Sequence, residues 1–284
     1  MASLLTNGIL LWMVLSFTTP IRISTMAKLL FDGDILAYKA SSSVQKDIDW
    51  GDGLWTCHAY LEDAIEQFRN LLDNILFALK ETTLEDYSIS DMMFFFSDKD
   101  NFRKHYLPEY KSNRRNIRKP TCYNALVEWI CNSHEYTVVK PIKYLEADDV
   151  IGIYATTYKD AIIVSMDKDF NTIPSKFFDF GRGEFKDITE DESKYWLMYQ
   201  TLIGDSTDGY KGCPTYGPVK AKKLLDATPV ESYWDAVVKA YEGQGLTEDD
   251  AVLQCTMAHI LHKEDFLRFS EGELPPLYSP KMYS

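Results

Sequence analysis

Residues 144–150 read YLEADDV, which places Glu146, Asp148 and Asp149 within four positions, just ahead of the apolar run VIGIYA. Like charges this close repel, so the stretch calls for a counter-charge or a bound cation. The pattern recurs. Asp32 and Asp34 lie in FDGD, Asp98 ends FFFSD, Asp167 and Asp169 lie in SMDKD, and Asp205 and Asp208 lie in GDSTDG. Taken singly, an Asp after a strand is commonly a turn residue or a helix N-cap. A helix macrodipole also tolerates one or two acids at its start. Ten carboxylates in five stretches exceed both explanations. Oxygen ligands without His or Cys select a hard cation, Mg²⁺ or Mn²⁺, over zinc. So many acids exceed one octahedral site and point to two ions about 4 Å apart, the arrangement used in phosphodiester chemistry. No Ser/His/Asp set or activated Cys offers a competing nucleophile.

The positive charge is concentrated rather than spread. Residues 103–119, RKHYLPEYKSNRRNIRK, hold seven Lys or Arg and one acid, Glu109, in a chain of net charge −13. A solvated basic helix face would look like this. Tyr106 and Tyr110 interleave with the charges, however, a pattern that suits phosphate contact with base stacking. Lys211, Lys220, Lys222 and Lys223 form a second basic stretch around Gly212 and Gly217. Glycines there would let backbone amides approach a phosphate, although an ordinary helix–loop–helix turn is the simpler reading.

The elements that must position these groups are legible in outline. KLLFD (28–32), MMFFFSD (92–98), AIIVSMD (161–167) and FFDFG (177–181) are short apolar runs expected to be buried, parallel strands. Helices are expected over about 57–80, 121–132 and 147–158, giving an α/β, doubly wound sheet. Asp32, Asp98 and Asp167 then sit at carboxyl ends of strands, where open α/β sheets build their sites. After about residue 190 the strand signals stop. Four helical stretches follow, split by the Gly/Pro-rich GYKGCPTYGP.

The chain has 284 residues, 45% hydrophobic and 14% aromatic, enough for one large domain or two smaller ones. Its net charge argues against a protein that coats nucleic acid along its whole surface. The five cysteines show no C-x-x-C spacing and read as reduced, cytosolic thiols. Residues 1–25 contain GILLWMVLSF, too short to span a bilayer and lacking basic residues before it. They are expected to be an extension outside the fold, with a signal, an anchor or an extra packed element as the alternatives. The division expected is 1–25 extension, 26–190 α/β domain and 191–284 helical domain.

In this order, FDGD, FSDKDNFRKHYLPEYKSNR, EADDV, VSMDKDF and GDSTDGYKGCPTYGPVKAKKLL resemble the flap endonuclease and 5′→3′ exonuclease superfamily. The chain is most similar to its short podovirus-type phage members. The resemblance runs from about residue 28 to 225. It implies a PIN-like fold with a C-terminal helix–three-turn–helix that grips duplex backbone, often with a monovalent cation, here K⁺. Asp32, Asp98, Glu146 and Asp148 match the first metal group. Asp149, Asp167, Asp169, Asp205 and Asp208 match the second.

The resemblance also assigns the basic residues. Lys111 and Arg114 match the phosphate-steering pair at the base of a helical arch, and Tyr110 its stacking aromatic. Arg103, Arg115, Lys119, Lys211, Gly212, Gly217 and Lys220 would contact nucleic acid. Asp34 falls outside the widespread pattern. The implied activity is metal-dependent hydrolysis from the 5′ end of duplex DNA at ends, nicks or flaps, extending to RNA:DNA hybrids. The implied setting is phage replication or recombination in the host cytoplasm, as a monomer beside other replication proteins. Binding through phosphates would be salt-sensitive and largely blind to sequence.

Two other readings compete. LLFDGD also resembles haloacid dehalogenase-type phosphatases, with Asp32 as nucleophile. That leaves EADD, MDKD and the basic stretch without a use. A non-catalytic DNA-junction binder is the second, and the completeness of the acid set weighs against it.

Overall fold

A computed structural model describes residues 29–114, 117–270 and 272–280. The expected 1–25 extension lies outside the described residues. Six strands form one sheet in the order β5-β4-β1-β6-β7-β8. They are β1 (Leu29–Asp32), β4 (Met92–Phe95), β5 (Thr137–Val139), β6 (Ile162–Ser165), β7 (Lys176–Asp179) and β8 (Glu184–Asp187). All neighbours run parallel except β7 and β8. The chain grows from central β1 to one side, then returns through β6 to the other. That reversal leaves a crevice beyond the strand ends.

The strands are apolar at successive positions because both faces are covered. Leu30, Met93, Phe95, Ile163 and Phe177 point to one face, under α5 (Ala147–Thr157). Leu29, Phe31, Phe94, Ile162, Val164 and Phe178 point to the other. That side is covered by α1 (Gly33–Val44), α2 (Leu61–Thr83) and α4 (Tyr123–Asn132). Helix α2 buries Ala64, Phe68, Leu72, Ile75 and Leu79, a helical stripe of the kind a sheet face requires.

Four further helices gather around a third core. These are α6 (Glu190–Ile203), α7 (Pro218–Asp226), α8 (Tyr233–Glu242) and α9 (Glu248–Ala258). Thr189 begins α6 with a reciprocal cap to Glu192, and Thr247 begins α9 the same way with Asp250. The chain then doubles back, so that Ile260, Leu261 and Phe269 join the core beneath α5.

Three features depart from the expected elements. Residues 55–58 form a strand, β3 (Trp55–His58), paired with β2 (Lys46–Asp49) as an antiparallel hairpin, so the helix starts at Leu61 rather than 57. Strands β5 and β8 are short, and β8, at the sheet edge, is polar enough to hide among loops. The basic stretch is only briefly helical, over α3 (Phe102–Tyr106), and then turns.

Gly152 sits where α5 meets the returning chain. A Cβ there would lie 2.5 Å from the Leu261 carbonyl oxygen and 2.8 Å from Ile260 Cγ2. Overpacking of that kind costs about 1–3 kcal/mol. Gly152→Ala should lower stability to urea by that amount, and an unchanged denaturation midpoint would show that the two segments part easily.

Candidate active site

The acids are brought to one rim by five separate pieces of chain. Asp32 ends β1 and caps α1 by accepting from the Ile35 amide at 3.1 Å. Asp167 caps the 3₁₀ turn Lys168–Thr172 by accepting from the Asp169 amide at 2.9 Å. Glu146 is the N-cap of α5, with Asp148 in its first turn. Asp205 and Asp208 lie in the turn after α6. Glu146, Asp148 and Asp149 each place a ligand oxygen within 4.8 Å of the others.

Burial and mutual repulsion hold several of these acids protonated above the ordinary range. Burial raises Asp32 to about 8, with Asp34 and Asp167 adding to it. Asp169 is raised to about 7 by burial and then by Asp167. Burial also raises Asp148, reinforced by Glu146, and Asp167, reinforced by Asp208. Glu146 goes the other way. Burial pushes it up, but the Lys111 and Arg103 cations outweigh that and hold it low, at about 2.

Cations therefore decide which acids are already satisfied. Lys111 Nζ lies 2.6 Å from Glu146 Oε1 and 3.7 Å from Asp208. Arg114 pairs with Asp208 at 2.6 Å. Lys168, between Asp167 and Asp169, pairs with Asp205 at 3.0 Å. The basic loop is clipped to the GDSTDG turn by its backbone. The Lys111 amide donates to the Asp208 carbonyl, and Asn113 donates to the Ser206 and Thr207 carbonyls. Lys111 takes a left-handed φ of 52° to make this turn.

Four expected roles are corrected. Arg103, expected on nucleic acid, is 1% exposed. It forms a two-pronged pair with Asp149 at 2.7 and 2.8 Å, reaches Glu146 at 3.2 Å and donates to the His259 carbonyl. Asp149, expected at the second metal, spends both oxygens on Arg103 and on the Glu146 and Leu261 amides. Its acceptor capacity is used, so it is the counter-ion of Arg103. Tyr110, expected to stack on a base, is 2% exposed, and its hydroxyl lies 3.0 Å from Glu146 and 3.3 Å from Asp208. Gly212, expected to offer its amide to phosphate, donates it to Gln254 at 2.8 Å.

The remaining expected residues divide. Asp98 accepts from the Tyr144 amide at 2.9 Å, and its own amide donates to Leu145. It thus holds the loop that delivers Glu146. Lys211, Gly217 and Lys220 are exposed around the start of α7, and Lys220 lies over the Tyr216 ring. Lys119 is exposed over the Tyr123 ring. Arg115 lies outside the described residues.

Asp34, which the resemblance left aside, accepts from the Ser97 amide and from the Tyr123 hydroxyl at 2.6 Å. It ties the β4 end to α4. Sequence reading also missed Lys168 as a counter-ion and Gln200, which donates to Asp169. Lys168 was visible only as the middle residue of DKD. Nothing in the sequence links Gln200 to Asp169.

The donor set fits hard divalent cations. It consists of carboxylates without His or Cys, and Asp148 accepts no hydrogen bond from a described residue, although two acids neighbour it. Among the described residues, Glu146, Asp148 and Asp149 are the acids whose ligand oxygens lie close enough together to hold an ion. Asp167, Asp208 and Asp205 lie close enough to Asp169 to raise its proton affinity.

Comparison with known proteins gives consistent matches. Residues 27–192 match the model of the 5′–3′ exonuclease N-terminal resolvase-like domain. The chain is 30% identical to an exodeoxyribonuclease of Enterobacteria phage T3, over 84% of this chain and 88% of that protein. It is 29% identical to an exonuclease of Escherichia phage T7, over 84% and 89%. A bacteriophage T5 flap endonuclease, solved with DNA and metal ions, shares the fold at a TM-score of 0.53 and 16% identity, over 82% of this chain and 88% of that one.

Two outcomes are expected from this geometry. Removing one partner of a buried pair costs about 3–5 kcal/mol. Arg103→Met should lose that much stability to urea, and Arg103→Met with Asp149→Leu should recover part of it. A loss below about 1 kcal/mol would show that the pair is not buried in solution. Asp32 and Asp169 keep protons in the fold that the unfolded chain releases near the ordinary carboxylate value of about 4. The metal-free protein should therefore lose stability as pH rises from about 5 to about 8. Mg²⁺ should raise Tm more at the upper end. Melting curves that are flat with pH would show that these acids are not held protonated.

Proposed function

The chain belongs to the 5′–3′ exonuclease family, and on that premise we propose that it hydrolyses phosphodiester bonds from the 5′ ends of duplex DNA. The observation that carries this reading is the meeting of buried, proton-retaining carboxylates with Lys111 and Arg114 at one rim. Metal-dependent phosphodiester cleavage needs both: acids that release protons to a cation, and basic groups that draw in the phosphate. Mg²⁺ or Mn²⁺ bound by these acids supplies neutralisation of charge at the scissile phosphate and a water acidic enough to attack it.

The chain's own residues do the rest. Lys111 and Arg114 exchange carboxylate partners for a substrate phosphate. Arg114 is the more accessible, with 44% of its side chain exposed, so it meets the phosphate first. Tyr110, buried beneath them, fixes Glu146 relative to Asp208 rather than stacking on a base. Asp98 and Asp34 hold the loops on either side of the rim.

Duplex is gripped through phosphates by Lys119, Arg115, Lys211, Lys220 and the Gly217 amide at the start of α7, with K⁺ as an additional cation in that turn. Five-prime flaps, nicks and RNA primers paired to DNA are further substrates of the same rim. The setting is replication or recombination in an infected host's cytoplasm, as a monomer working beside replication proteins. Asp32 is a poor phosphate acceptor for the phosphatase reading, because burial keeps it protonated near neutral pH.

A 5′-labelled duplex incubated with Mg²⁺ tests the reading. Release of 5′ nucleotides or short oligomers, abolished by EDTA, is expected, and activity that survives EDTA would overturn it. Asp148→Asn and Asp167→Asn should each cut turnover by at least about 10²-fold, beyond the loss of an outer partner. Both should keep their fold and their duplex binding in Ca²⁺. Loss of folding in both would make these acids structural, and full activity in both would leave the non-catalytic junction binder as the better account of the rim.

A further inference from the structure

Lys168, so far only a counter-ion, has no part in the reaction proposed above, and its position is unusual. It sits between two acids of the rim, Asp167 and Asp169, yet its Nζ crosses to a third, Asp205, at 3.0 Å. Asp167 to Asp169 belong to the sheet side of the crevice, and Asp205 belongs to the turn after α6. The pair therefore joins the 3₁₀ turn after β6 to the turn after α6. Asp205 Oδ1 is engaged as well, by the Thr207 amide at 2.7 Å and the Asp208 amide at 3.4 Å. Asp208 is meanwhile held by Arg114 and approached by Lys111.

Without substrate, both acids of the GDSTDG turn are thus matched by cations from neighbouring segments. A divalent cation entering there must displace a lysine or an arginine. The two outer cations are the ones able to leave. The Lys168 side chain is 65% exposed and Arg114 44%, whereas Asp205 and Asp208 are 11% and 13% exposed. The acids are held in place and their partners are on long, accessible arms.

We propose that Lys168 is a substrate-binding cation that doubles as a latch, closing Asp205 to divalent cations until a phosphate draws it away. A phosphodiester anion at the rim offers Lys168 an oxygen partner equivalent to Asp205. Its departure frees Asp205 Oδ2 for the second ion. Substrate and second ion then bind cooperatively, and by linkage each raises the affinity for the other by the same factor. Arg114 and Asp208 work in parallel, but Lys168 is the cation that lies between Asp167 and Asp169 in the chain. This inference rests on the metal-dependent nuclease reading above.

The test is an Mn²⁺ titration of the full chain without DNA, wild type against Lys168→Met, by calorimetry. Removing a competing partner of a partly exposed pair should strengthen the weaker Mn²⁺ event about fivefold. The KM for a 5′-labelled duplex should rise by a similar factor. Lys168→Arg, which keeps the charge, should return the metal affinity toward wild type. Opposite changes in metal and DNA affinity distinguish the latch from a structural role, in which both would fall together. Unchanged or weaker Mn²⁺ binding in Lys168→Met overturns the proposal. The titration contains no DNA and reads the latch directly. Failure of the wild type to cleave in Mg²⁺ would instead overturn the nuclease reading, so the two failures are separate.

Discussion

Repulsion among buried carboxylates is the constraint around which the rest of the molecule is arranged. Two unit charges 4 Å apart at a protein surface repel by about 4 kcal/mol. Acids from β1, α5, the 3₁₀ turn after β6 and the turn after α6 converge at one rim. The fold meets this in three ways. By burial it raises the proton affinity of Asp32, Asp148, Asp167 and Asp169 above the ordinary carboxylate range. It caps helix and turn starts with Asp32 and Asp167, whose charge the backbone amides favour. It inserts cations beside Glu146, Asp205 and Asp208. Each remedy is reversible by a divalent ion, which is why the same arrangement can be both stable and functional.

Arg103 is the exception, because its pairing is not reversible in the same sense. Its guanidinium meets Asp149 with two nitrogens, touches Glu146, and bonds the His259 carbonyl of the returning chain. The packing of Gly152 against Leu261 reinforces that junction. A lysine could not make this planar, forked contact. The first turn of α5, which presents Glu146 and Asp148, is thereby fixed to both the basic loop and the C-terminal segment. The apolar body of α5 holds the helix in the core, and Arg103 sets the placement of its charged end. A site that must hold metal ligands to within about half an ångström needs such support.

Much of this was legible in the sequence. The four apolar runs became β1, β4, β6 and β7, with Asp32 at the end of its strand and Asp98 and Asp167 a few residues past theirs. The second half is helical, as expected, in four main stretches. What could not be read was depth. Arg103, Lys111 and Arg114 belong to one basic run, and their side chains are 2%, 18% and 44% exposed. Composition treats them alike. Only the three-dimensional path makes the first a core residue, the second a partner of Glu146 and the third a surface arm. Tyr110 and Asp149 were misplaced for the same reason, since residue type and spacing cannot say which member of a cluster turns inward. Strand β8 and the hairpin of β2 and β3 were missed because their residues are largely exposed and lack the apolar run that marks the central strands.

Tyr110 also shows how the two halves of the chain act as one site. Its ring packs in the core formed by α6 to α9, while its hydroxyl reaches Glu146 at the start of a sheet-covering helix. The Lys111 amide, one residue on, is bonded to the turn that follows α6. A force that moved the helical region relative to the sheet would therefore be felt at Glu146 and Asp208 together. A duplex held by the helical region, as proposed above, and a phosphate at the rim would in this way be linked through two consecutive positions, Tyr110 and Lys111. The turn that carries these residues is fixed at both ends, by a buried aromatic in the helical core and by a backbone hydrogen bond to the turn after α6.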